Sequence, residues 1–92
     1  MKADQTAVMR LLKTARGQLE ATLRMVEENR YCVDISNQLL ATIALLRKVN
    51  EQVLDAHVRH CVLEAFSPEA EPGLAAERCE EILALMHKLQ RG

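Results

Sequence analysis

Apolar residues recur every three or four positions along three separate stretches of the chain, a pattern typical of helices that each bury one side. The first stretch runs from Gln5 to about Asn29, and Asp4 is placed to cap the helix that it predicts. The second runs from about Cys32 to Phe66, and the third from about Leu74 to Gln90. The pattern therefore predicts three helices and indicates no strand.

Within each stretch the apolar positions fall on one side of the predicted helix. Residues 67–73 contain both prolines of the chain and one of its glycines, which predicts a loop after the second helix. Cys79 falls on the apolar side of the third helix, so we expect a core thiol rather than a metal ligand there. The first stripe consists of Val8, Leu12, Ala15, Leu19, Leu23 and Val26, and the third of Cys79, Ile82, Leu83, Met86 and Leu89.

Composition and length support an all-α fold that needs a second subunit. The 92 residues suit one domain spanning 1–92, and 49% of them are hydrophobic although only one Tyr and one Phe are present. The second helix, about 35 residues at roughly 1.5 Å each, would be about 50 Å long. A compact chain of this size has a radius of gyration of roughly 12 Å, so such a helix would protrude. We predict an antiparallel dimer that forms a four-helix bundle.

Charge and cysteine content narrow the functional classes. The formal net charge is −1, whereas a dedicated DNA-binding protein usually carries an excess of positive charge. Any DNA contact therefore has to come from a local basic patch. There is no run of 18 apolar residues and no apolar signal core near the N-terminus, so we expect a cytoplasmic protein. The three cysteines predict free thiols, and no motif supports an enzyme.

His57, Cys61 and Cys32 form the one constellation that indicates ligand chemistry. His57 and Cys61 are four residues apart, so they share one face of the second helix at chelating distance. Cys32 lies 25 residues from His57, or about 37 Å along a helix, and cannot reach it within one chain. In an antiparallel dimer with its two-fold axis near Leu45 and Leu46, Cys32 of one chain lies opposite His57 and Cys61 of the other. The dimer would then hold two identical sites.

Two thiolates and one imidazole form a soft trigonal ligand set that suits Cu(I) better than Mg²⁺, Ca²⁺ or Mn²⁺. Structural zinc usually takes a fourth ligand. The same thiols suit a second chemistry, in which Cys32 attacks a persulfide and a sulfur bridge forms to Cys61 of the partner. The residues alone leave a copper sensor and a reactive-sulfur sensor both open.

The two segments around these residues resemble the copper-sensitive operon repressor (CsoR) family. They read Arg-Tyr-Cys-Val-Asp-Ile at 30–35 and Asp-Ala-His-Val-Arg-His-Cys-Val at 55–62, and the likeness covers most of the chain. The resemblance implies a three-helix protomer, an antiparallel dimer that pairs into a tetramer, and repression of metal-efflux or detoxification genes that ligand binding relieves. It also implies that Tyr31 and Glu77 form an outer shell around the metal ligands.

The first helix departs from the family pattern at the positions expected to contact DNA. Leu11 and Thr14 stand at usual basic positions, Arg16 replaces an acid, and Glu20 replaces a base. A family member that binds copper but has lost DNA binding is therefore a third hypothesis. Residues that remain able to contact operator phosphates are Arg10, Lys13, Arg16, Gln18, Arg47 and Lys48.

Overall fold

The computed structural model describes residues 1–91 and contains three helices, α1 (Gln5–Glu27), α2 (Cys32–Ala65) and α3 (Leu74–Arg91). No strand occurs among these residues, so the predicted all-α class is confirmed and each predicted helix end is correct to within about two residues. Across residues 1–91, every helix lacks the combination of length and apolar character that a membrane span requires.

Local hydrogen bonds explain where α1 begins and ends. The Asp4 carboxylate accepts hydrogen bonds from two free amides of the first turn, at 3.0 and 3.3 Å, which confirms the predicted cap. At the other end Asn29 adopts the left-handed conformation with φ of 54°, and the Arg30 amide donates to the Met25 carbonyl at 2.9 Å. This Schellman arrangement stops α1 and reverses the chain, so that α2 starts at Cys32 and runs back along α1.

A polar contact fixes the register between α1 and α2. The Thr42 hydroxyl donates to the Gln18 side-chain oxygen at 3.1 Å, and the Gln38 amide group donates to the Gln18 backbone carbonyl at 3.4 Å. Thr42 is buried in this contact. A residue of α1 therefore lies level with a residue of the antiparallel α2 when their two residue numbers add up to about 58.

We predict that Thr42→Val lowers the free energy of unfolding by about 1 kcal/mol relative to Thr22→Val, because it removes an interhelical donor from a buried site. Thr22 is the matched control, since it is equally buried but its hydroxyl bonds only to the Gln18 carbonyl of its own helix. Urea denaturation at equal protein concentration measures the free energy of unfolding of both variants. Equal stability of the two would show that the Thr42 contact contributes nothing to the register.

The predicted apolar stripes are only partly buried within one chain. On α1, Val8, Ala15 and Thr22 recur at intervals of seven and pack against α2. The core position predicted for Cys79 is wrong within the chain, because α3 turns its Arg78 and Glu81 side towards α2 and leaves Cys79 exposed. Stripe residues that are likewise exposed are Leu12, Leu19, Leu23 and Val26 on α1 and Leu83, Met86 and Leu89 on α3.

The single chain is extended, and among the described residues its buried apolar core is limited to Val8, Ala15, Val49, Cys61 and Ala65. Its radius of gyration is 18.2 Å, against roughly 12 Å for a compact chain of this length. No large side chain among the described residues is fully buried, while Leu39, Leu40, Ile43 and Leu46 of α2 are exposed. A second copy packed along α2 would cover this apolar surface, as the sequence predicts, and the antiparallel dimer remains a prediction.

Candidate metal centre

His57 and Cys61 lie together near the C-terminal end of α2, one turn apart as predicted. The Cys61 sulfur is 3.6 Å from Nε2 of His57 and 3.8 Å from Nδ1, and Cys61 is buried. A metal bound about 2.3 Å from a sulfur and about 2.0 Å from a nitrogen holds these two ligand atoms about 3.5–3.7 Å apart. The two side chains are therefore already spaced to bind one ion.

Glu81 of α3 completes a cluster that the sequence did not predict. Its Oε1 lies 2.6 Å from Nε2 of His57, and one ligand atom from each of His57, Cys61 and Glu81 lies within 4.8 Å of the others. The contact depends on how the loop at 66–73 sets α3 against α2. No periodicity or motif in the sequence encodes that register, so the acid could not be identified beforehand.

A hydrogen bond joins His57 to the Glu81 carboxylate. It lowers the pKa of Glu81 below its ordinary value, assisted by Arg78 and opposed by desolvation of the carboxyl. An ionised carboxylate can only accept hydrogen bonds, so Nε2 of His57 donates to Glu81 and Nδ1 is the nitrogen left to bind a metal. Arg78 donates to the other oxygen of Glu81 at 3.1 Å and holds that carboxylate in place. His57 is thus oriented with one nitrogen available to a metal.

The remaining predicted site residues lie far from this cluster or make no side-chain contact with it. Cys32 is exposed as the first residue of α2, about 37 Å along the helix from His57, so one chain does not bring them together. Tyr31 is exposed beside it. Glu77 is exposed one turn before Glu81, and within residues 1–91 its side chain has no hydrogen bond or ion pair. The outer-shell roles of Tyr31 and Glu77 remain predictions.

The predicted DNA-contacting residues separate into two groups. Gln18 is half-buried and turns its side chain to Thr42 of α2, so it belongs to the helix interface in this structure. The interhelical register places residues 10–13 of α1 level with about residues 45–48 of α2. The five basic members of the set are exposed, namely Arg10, Lys13, Arg16, Arg47 and Lys48.

Comparison with known proteins gives consistent matches over most of the chain. Residues 4–88 match the family described as metal-sensitive transcriptional repressor. The chain is 36% identical over 74 residues to the copper-sensing transcriptional repressor RicR of Mycobacterium tuberculosis, covering 80% of this chain and 76% of RicR. It is 36% identical over 63 residues to the copper-sensing transcriptional repressor CsoR of Bacillus subtilis, covering 68% of this chain and 62% of that protein.

A solved structure has the same fold. The crystal structure of the copper-sensing repressor CsoR with Cu(I) from Geobacillus thermodenitrificans matches with a TM-score of 0.80 and 34% sequence identity. The match covers 92% of this chain and 84% of that one. The three-helix arrangement described above is therefore that of a solved copper-sensing repressor.

Proposed function

The chain belongs to the metal-sensitive transcriptional repressor family, and from that premise we propose that it is a cytoplasmic Cu(I)-responsive repressor whose metal site closes across two subunits. The family is one of transcriptional repressors rather than enzymes. DNA is the partner that membership in this family implies. The identity of the metal and the composition of its site are specific to the proposal.

The observation that supports the proposal best is the spacing of His57 and Cys61. Nδ1 of His57, the nitrogen that Glu81 leaves available, is 3.8 Å from the Cys61 sulfur, about 0.1 Å beyond the separation of two ligands on one ion. One thiolate and one imidazole supply two ligands, and a soft trigonal site needs a third. The exposed thiol of Cys32 supplies the missing sulfur from a second chain, because an antiparallel pairing about Leu45 and Leu46 brings opposite ends of α2 together.

The proposed site makes metal binding a link between subunits. Cys32 at the start of α2 in one chain would hold the same Cu(I) ion as His57 and Cys61 at the end of α2 in the other chain. Cys32, His57 and Cys61 thereby fix the relative position of two chains, whose α1 and α2 helices carry the basic residues. A pairing of two dimers into a tetramer, as the family resemblance implies, would place several such surfaces on one DNA duplex. Coupling between two such sites is typically about 1–3 kcal/mol.

DNA contact in this proposal rests on Arg10, Lys13, Arg16, Arg47 and Lys48. Their exposure, and the level placement of residues 10–13 with about 45–48, support contact of these residues with DNA phosphates. Contacts of this kind neutralise phosphates, so binding should weaken steeply as salt rises. A salt-dependent mobility shift of the chain's own upstream DNA would argue against a copper-binding protein that has lost DNA binding, and absence of any shift would favour it.

X-ray absorption on the Cu(I)-loaded protein under reducing conditions tests the ligand set. We expect two sulfurs and one nitrogen around copper, and loss of the nitrogen with weaker Cu(I) binding in His57→Ala, because the imidazole is the only nitrogen donor in the proposed site. His87→Ala, at an exposed position near the end of α3, is the control and should leave the spectrum unchanged. A copper environment unaltered by His57→Ala would refute the proposed ligand set.

The reactive-sulfur alternative predicts different chemistry at the same cysteines. It requires a sulfur bridge between Cys32 of one chain and Cys61 of another, and it gives His57 no part. The oriented His57 beside a buried Cys61 favours the metal function. Mass spectrometry after persulfide treatment distinguishes the two, since a Cys32 to Cys61 crosslink that forms equally well in His57→Ala would support sulfur sensing.

A further inference from the structure

We propose that His57, Cys61 and Glu81 of a single chain form a second, mutually exclusive binding mode at this centre, for a four-coordinate divalent ion of the Zn²⁺ type. The inference deepens the proposed function and rests on it, because it assigns two modes to one cluster. In the first mode Cu(I) binds to Nδ1 of His57, and Glu81 remains a hydrogen-bond acceptor for Nε2. In the second mode the divalent ion takes Nε2, and Glu81 becomes a ligand.

The positions of the ligand atoms support the second mode. Nε2 of His57 is 3.6 Å from the Cys61 sulfur, which matches the separation of about 3.6 Å for nitrogen and sulfur ligands on a tetrahedral ion. Oε1 of Glu81 is 2.6 Å from Nε2, and tetrahedral coordination would increase that distance to about 3.3 Å. An outward movement of the carboxylate by less than about 1 Å, with transfer of the Nε2 proton to Nδ1 and release of the Cys61 thiol proton to solvent, therefore converts a hydrogen-bonded pair into two ligands of one ion.

Ligand chemistry and charge select the kind of ion. Nitrogen, sulfur and oxygen donors together form a set that Zn²⁺ accepts, whereas Cu(I) prefers the softer set with a second sulfur. One thiolate and one carboxylate supply two negative charges, which balance a divalent ion and leave the complex neutral. Arg78 bonds to the other oxygen of Glu81 and so favours attachment through Oε1 alone.

The divalent mode needs no second subunit. Three protein ligands with a water in the fourth position are a usual arrangement for zinc. All three ligands come from one chain, so Cys32 takes no part. Because both modes use His57 and Cys61, occupancy by the divalent ion should compete with Cu(I).

The experiment titrates the full chain with Co²⁺, as a spectroscopic substitute for Zn²⁺, and separately with Cu(I), both under anaerobic reducing conditions. For Cys32→Ala we expect Co²⁺ affinity and the four-coordinate spectrum to be retained while Cu(I) binding is lost. For Glu81→Gln we expect Co²⁺ affinity to fall by at least about tenfold, the lower bound for loss of an outer-shell partner. Glu81→Gln should still give a two-sulfur, one-nitrogen Cu(I) spectrum, with weaker Cu(I) affinity because Glu81 orients His57, and its helical circular dichroism shows that the variant is folded.

Glu80→Gln is the matched control, since it removes an exposed carboxylate from the adjacent position and should change neither titration. Unchanged Co²⁺ affinity in Glu81→Gln, or Co²⁺ binding lost in Cys32→Ala, would overturn the inference. Failure of wild-type protein to bind Cu(I) with two sulfurs and one nitrogen would instead refute the proposed function. The Co²⁺ titrations would still show whether His57, Cys61 and Glu81 bind a divalent ion.

Discussion

Cys32→Ala is expected to abolish the release of operator DNA by Cu(I) while leaving metal-free DNA binding intact. Cys32 lies at the opposite end of α2 from His57 and has no place in the single-chain cluster, so its thiol matters only as the ligand that joins two subunits. Without it, Cu(I) cannot fix the relative position of the two chains. A change in DNA affinity of about 5–150-fold, typical of such coupling, should fall to no measurable change. Fluorescence anisotropy of labelled operator DNA with and without Cu(I) measures this.

Cys79→Ala is the matched control for this prediction. Cys79 is an equally exposed thiol of the same chain, and its substitution should leave Cu(I)-dependent release unchanged. Cu(I) affinity of Cys32→Ala should fall by more than the roughly 10–100-fold that loss of an outer-shell partner costs. Full release of DNA by Cu(I) in Cys32→Ala would show that a complete regulatory site exists within one chain.

Leu46→Glu is expected to dissociate the dimer and unfold the chain. Leu46 is 45% exposed in the single chain and lies next to the proposed two-fold axis, where its counterpart from the second chain would meet it. An uncompensated buried charge costs about 3–5 kcal/mol, and a two-fold axis places two of them close together. The single chain has only a small core of short side chains to retain its fold, so loss of the dimer should also remove helical structure. Sedimentation equilibrium and circular dichroism over a range of concentrations measure both effects.

Gln52→Glu is the control for Leu46→Glu, because it adds the same charge to an exposed polar position of the same helix. It should sediment as the wild type does. A Leu46→Glu protein that remains a helical dimer at the same concentrations would place the dimer axis elsewhere on α2.

Helix positions were predictable from the sequence because local signals determine them. The Asp4 cap, the stop at Asn29 and the proline-containing loop act within a few residues of the helix ends that they set. The His57 and Cys61 pair was predictable for the same reason, since four residues on one helix fix their separation. The helix α2 is long for a chain of this size, which further indicated that a single copy could not cover its apolar surface.

Contacts between α3 and α2 were not predictable, because they depend on how a loop sets one helix against another. Glu81 is one of three acids within five positions of α3, and nothing in its sequence surroundings distinguishes it from Glu77 or Glu80. The prediction that Cys79 is buried was wrong within the chain for the same reason, because an apolar stripe does not specify which chain covers it. Gln18 likewise belongs to the α1 and α2 interface through Thr42, a contact 24 positions away in sequence.

Complementation between variants tests most directly whether every copper site contains residues of two subunits. Cys32→Ala chains and His57→Ala/Cys61→Ala chains each lack an essential part of the site, so each protein alone should fail to bind Cu(I) in the two-sulfur, one-nitrogen form. When the two are unfolded and refolded together, a mixed dimer should contain one complete site, with Cys32 from one chain and His57 and Cys61 from the other. Recovery of that Cu(I) spectrum in the mixture is the predicted result. No recovery, despite demonstrated formation of mixed dimers, would contradict a site shared between subunits.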